Sequence, residues 1–242
     1  MLSYFSGEAI ARIGNKIVHL NDTPDEDGFS KVELKCDKFT LMPNKTGRTI
    51  FYITAPSGSG KSFLAKEIIA EYHRMHPKNP VYVFSSLDDD PTLDTLKYLK
   101  RIKLTKPEFL EAELKAEDFK DSMTLFDDVD VISNKKVLKK TMDILNSILQ
   151  TGRHFNVSSI YTSHASTAGH ASKIILNESH VIVMFPSTAG GKMLKYLCDQ
   201  YLGLSKQQTE KLKHISSRWC AIVRKYPRAI VTQNECSLLK DF

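Results

Sequence analysis

The chain has 242 residues, 41% hydrophobic and 26% charged, with 34 Lys and Arg against 28 Asp and Glu for a formal net charge of +6. That length holds one substantial α/β core with a small appended element and excludes two full enzyme domains. The longest apolar runs, such as HVIVMF at 180–185, are strand-sized, and the first thirty residues lack an apolar core of signal-peptide length, so neither a membrane span nor export is expected.

Residues 1–48 hold short alternating stretches, KIVHL at 16–20 and KVELKCDKF at 31–39, separated by the loop NDTPDEDG; they read as a β-rich extension. From 49 onward the pattern becomes strand, turn and helix, repeated, and 49–242 reads as the main domain. TIFYIT is a strand, and Phe63, Leu64, Ile68, Ile69 and Tyr72 set an apolar face on a helix that stops before Pro77. VYVFSS at 81–86 is the next strand. TLDTLKYLK reads as helical, RIKL as a short strand, and PEFLEAEL or AEDFK as a second helix, before MTLFDDVD supplies a strand ending in acids. Ser133 or Asn134 can cap a helix whose Val137, Leu138, Thr141, Leu145, Ile148 and Leu149 form one stripe, closed by Gly152. VSSIYTS at 157–163 and HVIVMF are further strands, and 219–233 reads as a hairpin turning at Tyr226-Pro227. Strands alternating with helices, several apolar on both faces, argue for a mostly parallel sheet covered on both sides.

The four cysteines, Cys36, Cys198, Cys220 and Cys236, form no CxxC pair, so reduced, buried thiols are expected rather than zinc or disulfides. The histidines show no carboxylate or cysteine companions, so no metal beyond Mg²⁺ is assigned. Basic residues cluster at 97–106 (Lys97, Lys100, Arg101, Lys103, Lys106) and in NKKVLKK at 134–140, where Lys135, Lys136, Lys139 and Lys140 fall largely off the apolar stripe. Such clusters suit a polyanionic partner, and equally a solvated helix face.

Residues 55–62, APSGSGKS, fit the phosphate-binding P-loop GxxxxGK[ST] with alanine in place of the first glycine. Gly58 and Gly60 let backbone N–H groups converge on phosphate oxygens, Lys61 reaches the β- and γ-phosphates of ATP, and Ser62 can ligate Mg²⁺. The nucleotide contacts expected are Pro56, Ser57, Gly58, Ser59, Gly60, Lys61, Ser62 and Phe63. The motif follows a strand and opens a helix, the context it requires, and the helix N-terminus favours anions.

In TLFDD at 124–128 a buried strand ends in Asp127, placed to orient Mg²⁺, and Asp128, whose adjacency puts it on the other side of the strand end as a general base. The competing reading is an ordinary acidic turn. In TGRHFNVSSIYTSH, Thr162 or Ser163 at the strand end stands where a γ-phosphate sensor would, or is a turn residue. Arg153 is either a cation reaching a neighbouring subunit's γ-phosphate or one that complements the helix dipole.

Taken together, APSGSGKS, VYVFSSLDDDP at 81–91, TLFDD and TGRHFNVSSIYTSH resemble the FtsK–HerA superfamily of P-loop DNA translocases, in particular the genome-packaging ATPases of large DNA viruses and virophages. The resemblance implies an α/β, ASCE or RecA-like P-loop NTPase core with a sensor strand between the P-loop and acid strands. It implies ATP and Mg²⁺, a homo-oligomeric ring around double-stranded DNA held without sequence specificity, capsid partners, and a place in the virion or the infected cell's cytoplasm. It carries Lys61 and Ser62 to phosphate and Mg²⁺, Asp127 to Mg²⁺, Asp128 to the base, Arg153 to the trans finger and Thr162 or Ser163 to the sensor. Cellular relatives usually have glutamate where Asp128 stands and glutamine where Ser163 stands. A small-molecule kinase and a nucleotide-gated scaffold share the loop; the absence of arginine from 165–215 counts against the kinase, and the acid pair against the scaffold.

Overall fold

Short strands β1 (Leu2–Ser3), β2 (Glu8–Ile13), β3 (Lys16–Leu20), β4 (Lys31–Glu33) and β5 (Thr40–Leu41) occupy the N-terminal segment. The computed structural model describes residues 1–23, 26–164 and 169–242, with the backbone alone at 169–172. Pro24 and Asp25 of the expected 21–28 loop, and the side chain of His170, therefore lie outside the described residues. The chain continues through β6 (Ile50–Thr54), α1 (Lys61–Met75), β7 (Val81–Ser85), β8 (Leu99–Lys103), α2 (Pro107–Glu111), β9 (Met123–Phe126) and α3 (Lys135–Thr151). It ends with β10 (Ser158–Ser163), α4 (Gly169–Glu178), β11 (Val181–Met184), α5 (Gly191–Tyr196), α6 (Lys206–Lys213), β12 (Cys220–Val223), β13 (Ala229–Thr232) and β14 (Glu235–Leu238).

The main sheet has ten strands in the order β4-β14-β13-β12-β11-β6-β10-β9-β7-β8. From β11 through β8 neighbours are parallel, and from β11 through β4 they are antiparallel. This is the α/β, mostly parallel P-loop architecture expected, with the C-terminal hairpin in place. Alternation along β6 feeds two cores: Phe51 and Ile53 face one side with Leu64, Ile68 and Ile69 of α1 and with Ile10, Val18 and Leu41 of the N-terminal strands. Ile50 and Tyr52 face the other, against Ile144, Leu145 and Ile148 of α3, Ile175 of α4 and Leu194 of α5.

The N-terminal strands pair as β1-β3-β2-β5 in a separate antiparallel sheet that roofs α1. Arg12 of β2 donates through Nε to Glu71 of α1 at 2.9 Å, and Arg74 to the other oxygen of the same buried carboxylate at 3.0 Å. Strand β4 leaves this layer and pairs with β14 at the edge of the main sheet.

Several local expectations are corrected. TLDTLKYLK is not a helix: Leu93, fully buried, anchors a single 3-10 turn at Leu93–Thr95, and the chain then enters edge strand β8 two residues before RIKL. On an edge strand only part of each residue is covered, so Lys100 and Lys103 stay in water and the spacing mimics a helix. The hairpin gains a third strand, β14, too short to signal itself in sequence. In α3 the buried stripe includes Ile144, while Leu138 is half-buried; Asn134 rather than Ser133 caps it, accepting from Lys136 N at 3.0 Å and Val137 N at 3.3 Å. Cys36 is exposed, unlike the other three thiols. Among the described residues no helix is long and apolar enough to cross a membrane.

Candidate active site

Parallel register brings the site together. Ser163 of β10 lies opposite Thr54 of β6, and Tyr161 opposite Phe126 of β9, so the loop after β6, the acids after β9 and the end of β10 meet at one edge of the sheet. The strand carrying Thr162 thus stands between the P-loop strand and the acid strand.

The loop from Ala55 turns through Gly58 (φ +74°) and Gly60 (φ +105°), backbone angles that L side chains rarely adopt, and enters α1 at Lys61. A side chain on Gly58 would have open space around it, so the glycine is there for its backbone angle. Lys61, only 5% exposed, donates through Nζ to Ala55 O at 3.0 Å and lies 3.3 Å from His164 Nδ1 and 3.7 Å from Asp128 Oδ1. Its ammonium is held across the mouth of the loop. Ser62 is half-buried in the first turn of α1, Pro56, Ser59 and Gly60 are half-buried, and Ser57, Gly58 and Phe63 are exposed. Ser59 Oγ is 2.9 Å from Thr188 Oγ1, which ties the loop to the segment after β11.

The fully buried Thr162 hydroxyl accepts from Asp128 N at 2.8 Å and lies 3.0 Å from Asp127 Oδ1 and 3.2 Å from Asp128 Oδ1. The two carboxylates therefore converge on one hydroxyl instead of parting to opposite sides of the strand end. The cause is backbone: Asp128 takes the left-handed conformation (φ +46°, ψ +40°), which a short polar side chain tolerates, and this turns its side chain back toward Asp127. Burial, then the charge of Asp128, push the Asp127 carboxyl up from 3.8 to about 6, against the lowering effect of the Thr162 hydroxyl. A hydroxyl at Ser62 and this carboxylate are hard oxygen donors of the kind Mg²⁺ takes, and a dication would relieve the unfavourable charge at Asp127.

His164 is a site residue that sequence reasoning set aside for want of a carboxylate companion. It has one: Nε2 lies 2.8 Å from Asp128 Oδ2. With Nδ1 accepting from the Lys61 ammonium, Nε2 carries the proton and donates to Asp128. Its place directly after the two candidate sensor residues was the available signal. Ser163 turns elsewhere, its Oγ donating to Asp130 Oδ2 at 2.8 Å, where His164 N also donates at 3.1 Å.

Arg153 is not part of this cluster. It precedes β10 and so stands at the opposite edge of the sheet, the length of that strand, roughly 20 Å, from the P-loop. It is exposed; its carbonyl accepts from Asn156 N at 3.3 Å, and its guanidinium makes no hydrogen bond or ion pair among the described residues. The carbonyls at the end of α3 are capped by Arg48, which donates to Ile148 O and Leu149 O at 2.9 Å each. Arg153 and Arg48 line a cleft of about 940 Å³ together with Arg224 and Lys225.

A glycine loop and lysine on the first parallel strand, acids on another, and a polar strand end between them define a P-loop NTPase. No protein-family model matches the chain. The uncharacterized protein V3 of Sputnik virophage is 35% identical over 237 residues, 97% of this chain and 95% of the relative, and the chain belongs to the family of that virophage protein. Solved structures with a similar fold include the DNA-packaging ATPase B204 of Sulfolobus turreted icosahedral virus (TM-score 0.50, 17% identity, 76% of this chain and 97% of that one). The genome packaging NTPase B204 of Sulfolobus turreted icosahedral virus 2 in complex with ATP-γS has a TM-score of 0.50 at 15% identity, covering 76% of this chain and 97% of that one. The cytoplasmic domain of the type VII secretion ATPase EccC of Thermomonospora curvata has a TM-score of 0.51 at 12% identity, over 76% of this chain and 25% of that one.

Proposed function

We propose that this protein is an ATP-hydrolysing motor that moves double-stranded DNA without regard to sequence, packaging a viral genome as a ring of identical subunits. The observation that carries the reading is Thr162, which joins Asp127 and Asp128 through one hydroxyl, with Asp128 Oδ1 3.7 Å from Lys61 Nζ. A chain that only held nucleotide would have no use for a second, hydrogen-bonded carboxylate beside the phosphate loop. The similar solved structures, a DNA-packaging ATPase and a genome packaging NTPase in complex with ATP-γS, support the same reading.

In this mechanism the N–H groups at 58–62 and the Lys61 ammonium hold the phosphates, and Lys61 gives up its contact with Ala55 O to do so. Ser62 and Asp127 would hold Mg²⁺, which supplies charge neutralisation on the phosphate oxygens when bound. Asp128, oriented by His164 and by Thr162, accepts the proton of the attacking water. Thr162 reports the state of that carboxylate to β10. Arg153, exposed on the far edge, would serve a neighbouring subunit's site and not its own.

Of the basic clusters, the one at 97–106 is partly neutralised: Arg101 pairs with Asp94 at 2.5 Å and Lys103 with Asp88 at 3.5 Å. On α3, Lys135, Lys136 and Lys139 are exposed, whereas Lys140 is half-buried and donates to Leu110 O at 2.9 Å. The first three are the DNA-facing candidates. Steady-state ATP hydrolysis with and without duplex DNA tests the proposal: DNA should raise turnover. Phosphate transfer to a small acceptor that ignores DNA would replace the motor with a kinase, and binding without turnover would replace it with a scaffold.

A further inference from the structure

The acid pair and Thr162 flank β6 on its β10 side, so the γ-phosphate end of a bound triphosphate belongs there. The rest of the nucleotide must then leave the loop in another direction. On the β11 and β12 side of the same loop is a cavity of about 350 Å³, bounded by Ser59 and Gly60 of the P-loop and by the first turn of α1. Its walls are Phe63, Phe185, Trp219 and Gln233, with Thr40 from the N-terminal segment.

Three features suit this cavity to a flat aromatic ligand. Phe63 is 57% exposed on the rim, one residue past Ser62, where a large apolar ring gains nothing from water. Phe185 and Trp219 are almost fully buried behind it, and the Phe185 ring lies within ordinary contact of Gly60, 3.8 Å from where a Cβ would stand. The polar wall is rigid: Arg218 N donates to Gln233 Oε1 at 3.0 Å and Phe39 N to Gln233 O at 2.7 Å. With Oε1 engaged, the amide NH₂ of Gln233 is its remaining donor.

We infer that this cavity takes the base and ribose of the triphosphate, with the base stacked on Phe63, and that the N-terminal segment and C-terminal hairpin together form its recognition wall. The inference rests on the phosphate reading of the P-loop. It assigns a role to residues 38–40 and to Arg218, Trp219 and Gln233, which lie in sequence far from any phosphate-binding motif.

Trp219 is the only tryptophan of the chain, so the cavity carries its own reporter. The full-length protein is titrated with ATP and with inorganic tripolyphosphate while Trp219 emission and ligand affinity are followed. ATP should alter the emission; tripolyphosphate should compete with ATP yet leave the emission unchanged. Phe63→Ala should weaken ATP about tenfold, the scale of one base on one ring, leave tripolyphosphate affinity unchanged, and be rescued by Phe63→Tyr. Lys61→Ala should weaken both ligands. If Phe63→Ala leaves the ratio of the two affinities unchanged while Lys61→Ala still abolishes binding, the base lies elsewhere and the inference is overturned. If Lys61→Ala leaves both ligands bound as in the wild type, the phosphate reading itself is wrong.

Discussion

Asp127→Asn should make the ligand-free protein more stable while ending its activity. Asp127 is 5% exposed, and its carboxyl titrates at about 6 in the folded chain against 3.8 when unfolded, chiefly through burial and then the charge of Asp128. A raised folded value means the folded state favours the protonated acid. The contribution of Asp127 is therefore fully favourable below about pH 4 and is lost as pH rises through about 6. Integrated over that interval the loss is about 3 kcal/mol, of which about 2 to 3 falls between pH 4 and pH 8. Asparagine keeps the shape and an oxygen for the Thr162 hydroxyl but never ionises. Urea denaturation of both proteins across that range, in EDTA and without nucleotide, should show the variant's advantage growing with pH by that amount. Added Mg²⁺ and ATP should then stabilise the wild type more than the variant, since ligand bound to the native state adds to its stability. A stability difference that stays flat, or shrinks as pH rises, would refute the account of Asp127 as a buried charge awaiting a cation.

Thr162→Val removes the shared hydroxyl at constant shape; ATP binding should persist while kcat falls about 10²-fold, and an unchanged kcat in a steady-state assay would remove Thr162 from the machinery. Replacing Lys135, Lys136 and Lys139 by glutamine, with Lys140 retained for its bond to Leu110 O, should weaken binding to all duplex sequences equally. The slope of log affinity against log salt should fall by about 3, and an unchanged slope in fluorescence anisotropy moves the DNA surface off α3. Mixing Arg153→Ala chains with Lys61→Ala chains should restore turnover that neither has alone, because some interfaces then pair an intact loop with an intact arginine. No recovery in assemblies shown to be mixed would deny Arg153 a role in trans.

The phosphate loop was legible because everything it needs is local: Gly58, Gly60, Lys61 and Ser62 sit within five residues, between a strand and a helix. The two-faced parallel sheet was legible for a similar reason, since runs such as IFYIT bury every residue and only a doubly covered strand does that. What escaped depends on strand order. Thr162 meets Asp127 across 35 positions of sequence because β10 inserts between β6 and β9; the resemblance implied that insertion, but chain order alone does not say which side chains it brings into contact. The His164 to Asp128 contact follows from the same insertion together with the left-handed turn at Asp128, a backbone state that an Asp-Asp pair does not announce. The helix read into 92–100 failed on the opposite ground, a local pattern overruled by the vacancy at the sheet edge that β8 fills. The far-edge position of Arg153 was implicit in the order, since Arg153 precedes its strand whereas the phosphate loop follows a parallel one.

The pairing of β4 with β14 has a consequence for how the chain is made. Val32 finds its partner in Cys236, so β4 must wait until the roughly 200 residues that follow it have been synthesised. At about 5 to 20 residues per second, that wait is on the order of 10 to 40 s. Closing so long a loop is an entropic task left to the end of folding, after the parallel strands between have formed a platform to receive it. Until then β4 has an open edge, and its charged residues Lys31 and Glu33, of which Lys31 pairs with both Glu33 and Glu235 in the finished protein, are suited to keeping nascent neighbours from adding to it.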